Sequence, residues 1–587
     1  MSISGFLFRI VIKIMIGHSK QDKRTLLIGV DNMRKNYPID ITRLPFSCRR
    51  SRCMVFCENN GASLDVENGL YLSQSTEGML GGGAQFYRDK NYLLLTPEAD
   101  GCSITYTYEA TTSFVSLKTE KGSILITFAA DGGMRIFSDG PGLLVTAKMG
   151  FGDVAQKVGE AAEISMDGAM YHMIPTVGSV SVDSHYDLLT YRYTDPVIRF
   201  LPENGKLEIA VFDDSFTQMD CIKAGYSEQE AVMQMEAAFA EFQNKLVDAA
   251  AVGIEERYSL WIGAKAFPGL RGEVYPSNVV TAVYPRAEEQ PVLSMAFSDG
   301  NEAYDLLTKF APLLTKGGLL PEQVSGNKKL YQTVSMLHGL AALELLRKSE
   351  ISDEQERELY DMLATVDAWW VKNRSTDNGI SFYYAYRFES GYPLDGVFSK
   401  GTPVVAPDLI ARMVLQAEAL SQLANRLGFE EATDRWKNIA DVRLAYLVKE
   451  LWKGGRFIAW ANGEDTAGDS VLCCVPVILG KRLPEEIRTA LAAKLTGDLL
   501  IPNLGILSGN GRTDTILTCI LAAGLYDCGQ REAGDALMDA VAKAEESFGL
   551  EASYPVDGNV VYRCAGQYTP ATCAAVLYAA SKRDKEA

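Results

Sequence analysis

Histidine is almost missing from this chain of 587 residues: there are four, His18, His172, His185 and His338. No two stand at ligand spacing, so histidine-based metal chemistry is not expected, and no metal or organic cofactor is assigned. The 11 cysteines are odd in number and scattered, without the CxxC pairs of a zinc or redox centre. Such usage implies a reducing compartment, and a cytoplasmic location is expected. Positive charge is also short, 57 basic against 75 acidic residues for a net charge of -18. That sign disfavours nucleic-acid phosphate and anionic membranes as partners and favours a small neutral ligand. Long apolar runs are lacking too: Ile3 to Gly17 is broken by Arg9 and Lys13, too short and too charged to cross a bilayer, and no small-residue cleavage site follows it at signal-peptide spacing. Residues 1–37 read as a poorly ordered extension, with Met33 a candidate start. Gly81-Gly82-Gly83 is not followed by a helix bearing Lys and Ser or Thr, so a phosphate loop is excluded.

What is present is ordinary globular material, 47% apolar and 22% charged, in a chain too long for one core. Residues 38–225 read as strands with period-two alternation and turns such as Asp131-Gly132-Gly133 and Asn204-Gly205. Candidate strands include Cys53–Phe56, Leu70–Leu72, Ser123–Phe128, Leu188–Tyr193 and Leu207–Phe212. An antiparallel β-sandwich is expected. From 226 to 587 the period becomes 3.6. Helices are drawn at about 227–247, 254–264, 300–314, 328–348, 353–372, 407–427, 430–450, 469–480, 484–496, 514–529, 531–547 and 568–582. Ser352 before Asp353-Glu354-Gln355 and Gly428 after the Leu409-to-Leu427 stripe supply caps. Twelve helices in consecutive pairs, with no self-similar repeat, predict a closed (α/α)6 toroid rather than a solenoid. Loops 373–405, 453–468, 497–513 and 548–567, rich in Gly, aromatics and carboxylates, are where a site is expected.

Several segments in order carry a resemblance: Ala303-Tyr304-Asp305-Leu306-Leu307 with Gly318-Leu319-Leu320-Pro321; Glu389-Ser390-Gly391; Pro407-Asp408-Leu409 with Gln416-Ala417-Glu418-Ala419-Leu420; Gly509-Asn510-Gly511-Arg512; and Glu551 with Tyr554-Pro555 and Gly558. Together they resemble the inverting (α/α)6 glycosidases that include processing α-glucosidase I, trehalase and the mannosylglycerate hydrolases, nearest to glycoside hydrolase family 63. The resemblance implies a general acid just after an E-S-G-W-like run and a general base before a Y-x-P-x-x-G-like turn. Glu551 fits the base. Pro393 stands where a gapless reading puts the acid; either the loop shifts and Asp395 serves, or Glu389 substitutes, or activity is lost. The W-D-S-like motif is absent around Gln290–Ser298.

Inverting hydrolysis needs an acid to protonate the leaving oxygen and a carboxylate to activate water on the opposite face, roughly 6.5–9.5 Å apart. Tyr392, Leu394 and Phe398 offer Asp395 the apolar surroundings that keep an acid protonated. Asp408 is a substrate contact or a first-turn helix carboxylate. Arg512 clamps a sugar hydroxyl or neutralises Asp514, and Tyr392, Trp460 and Trp370 are stacking candidates. The expected activity is exo-acting hydrolysis of a short α-linked glucoside or related small glycoside. A disaccharide phosphorylase and an inactive carbohydrate-binding protein are the alternatives, and a homo-oligomer is left open.

Overall fold

The computed structural model describes residues 36–58, 67–77, 91–213, 225–266, 273–275, 282–283, 289–325, 328–333, 337–376, 379–466, 470–509, 511–557 and 569–583. The extension before residue 36 and the segment containing Gly81-Gly82-Gly83, Asn510 and Gly558 lie outside the described residues.

The N-terminal part is two antiparallel sheets. One runs, in spatial order, 53–58, 69–74, 93–99, 142–146, 197–201 and 179–183, with 102–103 beside 93–99; the other runs 154–158, 161–166, 169–177, 206–212, 134–139, 122–128, 115–119 and 107–110. Alternation puts Ile124, Ile126, Phe128 and Ile136 of one sheet and Leu143, Val145, Ile198 and Phe200 of the other in one buried layer, as a sandwich requires. Residues 188–191, read as a strand, form instead the tip of a hairpin between Tyr186–Asp187 and Arg192–Tyr193. Asp187 explains this, because its carboxylate accepts from the Leu189 amide at 2.9 Å and the Thr190 hydroxyl at 2.8 Å, a local turn that competes with pairing.

The helical part contains, among the described residues, α1 (Glu228–Gln243), α2 (Ile254–Gly263), α3 (Gln290–Met295), α4 (Gly300–Leu307), α5 (His338–Lys348), α6 (Asp353–Arg374), α7 (Pro407–Arg426), α8 (Glu430–Glu450), α9 (Glu485–Thr496), α10 (Thr515–Asp527), α11 (Arg531–Phe548) and α12 (Pro570–Arg583). Inner elements touch in the cyclic order α3, α5, α7, the 3-10 segment Val475–Arg482, α10, α12 and back to α3. Each also packs on an outer helix: α3 and α5 on α4, α7 on α6 and α8, the 3-10 segment on α9, α10 on α11, and α12 on α2. This is a closed (α/α)6 toroid behind a β-sandwich. Burial follows position. In α7 nearly every residue from Pro407 to Leu420 is covered, whereas outer helix α8 buries only the stripe Trp436, Ala440, Arg443 and Leu447. Helix α1 links the parts, and its Gln234 side chain accepts from the Ala130 amide of the sandwich at 2.9 Å.

Several helix expectations are corrected. Of the helix drawn over 469–480, the described residues 470–480 form no α-helix: Val471–Cys473 and Val475–Arg482 are 3-10 turns, because Pro476 removes a donor and Gly480 leaves helical geometry at φ 60°. The helix drawn over 300–314 ends at Leu307, and Pro312 sits in a separate 3-10 turn, Ala311–Leu313. Residues 328–330 pair with 323–325 as strands, so α5 begins only at His338. The expected caps are present: Ser352 and Gln355 form a reciprocal box at α6, and Gly428 closes α7 at φ 74°.

Candidate active site

Connections from inner to outer elements span two to four residues (296–299, 349–352, 427–429, 483–484 and 528–530), while those from outer to inner are long (308–337, 375–406, 451–474, 497–514 and 549–569). Because the chain alternates, all the long loops gather at one end of the ring, over the N-termini of the inner helices. Asp395, Asp408, Arg512 and Glu551 all belong to that end.

Strand Ser381–Tyr384 pairs with Val404–Val405, which pairs with Ala459–Ala461. Loop 385–403 springs from this small sheet and carries Asp395. Its carboxylate caps the 3-10 turn Gly396–Phe398, accepting from the Val397 amide at 2.9 Å, and also accepts from the Ser470 hydroxyl. Asp395 is buried, and burial raises its pKa although the Ser470 hydroxyl and the amides of Val397, Leu472 and Val471 pull the other way. Phe398 is buried near it, whereas Leu394 is open to solvent.

Asp408 lies in the first turn of α7 with no exposed surface. The Tyr384 hydroxyl donates to its Oδ2 at 2.6 Å and the Arg412 guanidinium stands 3.9 Å away, but its Oδ1 has no hydrogen-bond partner. Burial pushes its carboxyl up to about 6, with a smaller rise from the charge of Asp395, against the pull of Arg412, Tyr384 and the Leu409 amide.

Glu551 is half-buried on the loop that precedes α12. The loop is fixed through its backbone: the Glu551 amide donates to the Tyr554 hydroxyl at 2.9 Å, and Thr515 at the start of α10 donates its hydroxyl to the Glu551 carbonyl at 2.6 Å. The turn 507–513 connects this loop to that of Asp395. A Cβ on Gly509 would come within 3.0 Å of the Leu394 carbonyl and 3.2 Å of the Asp395 Cα, so only glycine permits that approach. On its other flank the turn receives the Val556 amide on the Gly511 carbonyl at 2.9 Å, and Arg512 donates to the hydroxyl and carbonyl of Ser553, both at 2.9 Å. The loops that carry Asp395 and Glu551 therefore flank one turn, and Arg512 braces the loop of Glu551, while Asp514 caps α10 through the Leu517 amide.

Glu389 is fully engaged within its own loop. Its Oε1 accepts from Arg374 Nε at 2.8 Å and Nη2 at 2.6 Å, and its Oε2 from the amides of Ala385 at 2.7 Å and Tyr386 at 3.3 Å. Four donors fill the acceptor capacity of a carboxylate, which leaves neither a substitute acid nor a ligand contact. Tyr392 is half-buried, and the Lys453 ammonium stands 4.8 Å over the Trp460 ring, covering one face. Trp370 is a core residue of α6, packed edge-on to Trp369 at 5.6 Å. The sequence reading missed Tyr384, Arg412 and Ser470, whose partnerships span the small sheet, one helical turn and a distant loop, and it passed over His338 and Gln323. His338 begins α5, and burial lowers its pKa to about 4. Its Nδ1 and the Gln323 Oε1 are buried without partners. Among the described residues no three His, Cys, Asp or Glu side chains cluster as a metal site would require, and no helix is long and apolar enough to cross a membrane.

Comparison with known proteins bears on the architecture. The chain is similar to a bacterial glucoamylase solved in complex with acarbose, at 11% identity over 93% of this chain and 97% of that one, with a TM-score of 0.54. The sandwich-and-toroid fold is shared. It is also similar to the family 63 mannosylglycerate hydrolase of Thermus thermophilus in complex with glucose, at 14% identity over 52% of this chain and 95% of that one, with a TM-score of 0.44. No family model and no curated protein matches the chain.

Proposed function

We propose that the chain is an inverting, exo-acting glycoside hydrolase for a short α-linked glucoside or related small glycoside, with Asp395 as general acid and Glu551 as general base. Residues 226–587 are taken as the catalytic domain and 38–225 as the supporting sandwich. The observation that supports this reading is that the loops carrying the two carboxyls both pack on the 507–513 turn, with Asp395 buried at a raised pKa and Glu551 half-buried. In the proposed reaction Asp395 gives its proton to the departing glycosidic oxygen while Glu551 takes one from a water that attacks the anomeric carbon on the opposite face. Two carboxyls and water balance the step without a cofactor. The glucoamylase with acarbose lends the same fold a saccharide ligand, and the nine described cysteines, all free, fit a cytoplasmic setting.

The test is product stereochemistry by proton NMR on a panel of α-linked disaccharides. The initial product is expected as the inverted anomer, with Glu551→Gln and Asp395→Asn each lowering kcat by at least about a hundredfold. Turnover that survives Glu551→Gln removes the base assignment. A second reading, a carbohydrate-binding protein without turnover, is favoured by one observation: Asp395 is 4% exposed, and its Oδ1 already takes the Ser470 hydroxyl and the Val397 amide. Saccharide binding without hydrolysis across the panel would select it.

A further inference from the structure

Among the described residues from 300 to 583, the three most exposed large apolar side chains sit on one loop, the one that carries Asp395: Leu394 at 60%, Tyr386 at 51% and Phe388 at 47%. The Tyr386 and Phe388 rings stack, with centroids 5.1 Å apart and planes inclined by 28°. Their turn is held, not loose. Glu389, buried directly after Phe388, binds the Ala385 and Tyr386 amides through one oxygen and the Arg374 guanidinium through the other, and Arg374 is itself steadied over the Trp369 ring at 5.2 Å. An ion pair thus fixes two aromatic rings in an open position, where bare apolar surface costs free energy unless something covers it. A flat aromatic face presented in this way matches the C–H face of a pyranose ring.

We propose that Tyr386 and Phe388 form the subsite for the sugar ring on the leaving-group side of the cleaved bond, and that Glu389 and Arg374 are positioning residues for it. The side follows from the chemistry. A general acid must stand beside the departing oxygen, so the loop bearing the acid borders the departing sugar rather than the ring whose anomeric carbon is attacked. The inference rests on reading Asp395 as that acid, and it makes the substrate at least a disaccharide.

The experiment compares trehalose, kojibiose, nigerose and maltose with methyl α-glucoside, which lacks a second ring, using the full chain and the Tyr386→Ala/Phe388→Ala double variant. For the disaccharide that is turned over, the double variant is expected to raise KM about tenfold with kcat little changed, to leave methyl α-glucoside kinetics unaltered, and to be rescued in part by Phe388→Trp. Equal loss on both substrate types, or no loss on either, overturns the subsite. Calorimetric titration with the same sugars separates this from failure of the hydrolase reading. Disaccharide binding by the wild type that weakens about tenfold in the double variant sustains the subsite even without turnover, and absence of binding by every disaccharide overturns it. Both side chains are half-exposed, so an unchanged melting temperature certifies the fold of the variant.

Discussion

Asp408 offers a direct test of how the loop end is built. An ordinary aspartate carboxyl at 3.8 is raised here to about 6, chiefly by burial. Its Oδ1 lacks a partner, so the ionised form keeps an unsatisfied acceptor away from water. The folded chain thus holds the Asp408 proton between pH 3.8 and about 6 while the unfolded chain has released it. Stability contributed by this group falls as pH rises through that window and stays lower above it. At about 1.4 kcal/mol per pH unit, the displacement corresponds to about 3 kcal/mol. Asp408→Asn removes the proton linkage while keeping the shape and the Tyr384 contact. The variant should match the wild type near pH 4 and exceed it by about 3 kcal/mol at about pH 7.5, read by urea denaturation at both values. A stability difference that is the same at both pH values would refute the reasoning, as would a variant less stable than the wild type at the higher pH.

Other perturbations probe the rest of the molecule. Glu344 shows the opposite linkage: burial works to raise its pKa, but Lys582, Arg347 and Lys348 outweigh it and hold the carboxyl at about 2. Its contribution, about 3 kcal/mol, is present above about pH 4.5 and lost as pH falls toward about 2, so Glu344→Gln should flatten that part of the acid-unfolding profile. Arg443, buried on α8, donates to both oxygens of Asp367 on α6 at 2.8 and 3.1 Å and to the Met413 and Gly379 carbonyls. Arg443→Met strands the Asp367 charge and should cost about 3–5 kcal/mol in chemical denaturation, partly recovered by adding Asp367→Leu. Arg512→Lys removes the forked bond to Ser553 and loosens the loop of Glu551. Steady-state kinetics should show kcat lowered by about a hundredfold, with the melting temperature moving by less than about 2 °C.

Legibility in the sequence divides along physical lines. Helices α6, α7 and α8 could be read because their apolar stripes and caps are local: Ser352 meets Gln355 three residues on, and Gly428 supplies its own backbone freedom. The 3-10 segment that replaces one inner helix was missed because the apolar spacing of Val475 to Leu479 suits either helix type, and only Pro476 and Gly480 disfavour the α form. The strands 134–139, 161–166 and 169–177 escaped because buried residues there are mixed with charged and small ones, and pairing rather than propensity holds them. In the site, Asp395 and Glu551 were named from motif order. The saturation of Glu389 by Arg374 could not be foreseen, since a carboxylate in a motif reads alike whether its donors are a ligand or its own loop.

Buried polar groups at the two ends of the ring are partnered differently at the inner helices. At the closed end Lys582 of α12 reaches Glu344 of α5 at 2.6 Å and Asp527 of α10 at 2.7 Å, so three inner helices terminate on paired charges. At the loop end Asp408 Oδ1, His338 Nδ1 and Gln323 Oε1 are buried without partners, on the first turns of α7 and α5 and the strand that leads into α5. Each such atom costs about 1–3 kcal/mol. Above about pH 6 the Asp408 oxygen, like the Gln323 amide oxygen, can only accept, and burial keeps the His338 ring neutral, with one nitrogen accepting and the other donating. The glycoside proposed above would bring hydroxyl donors to acceptors of this kind.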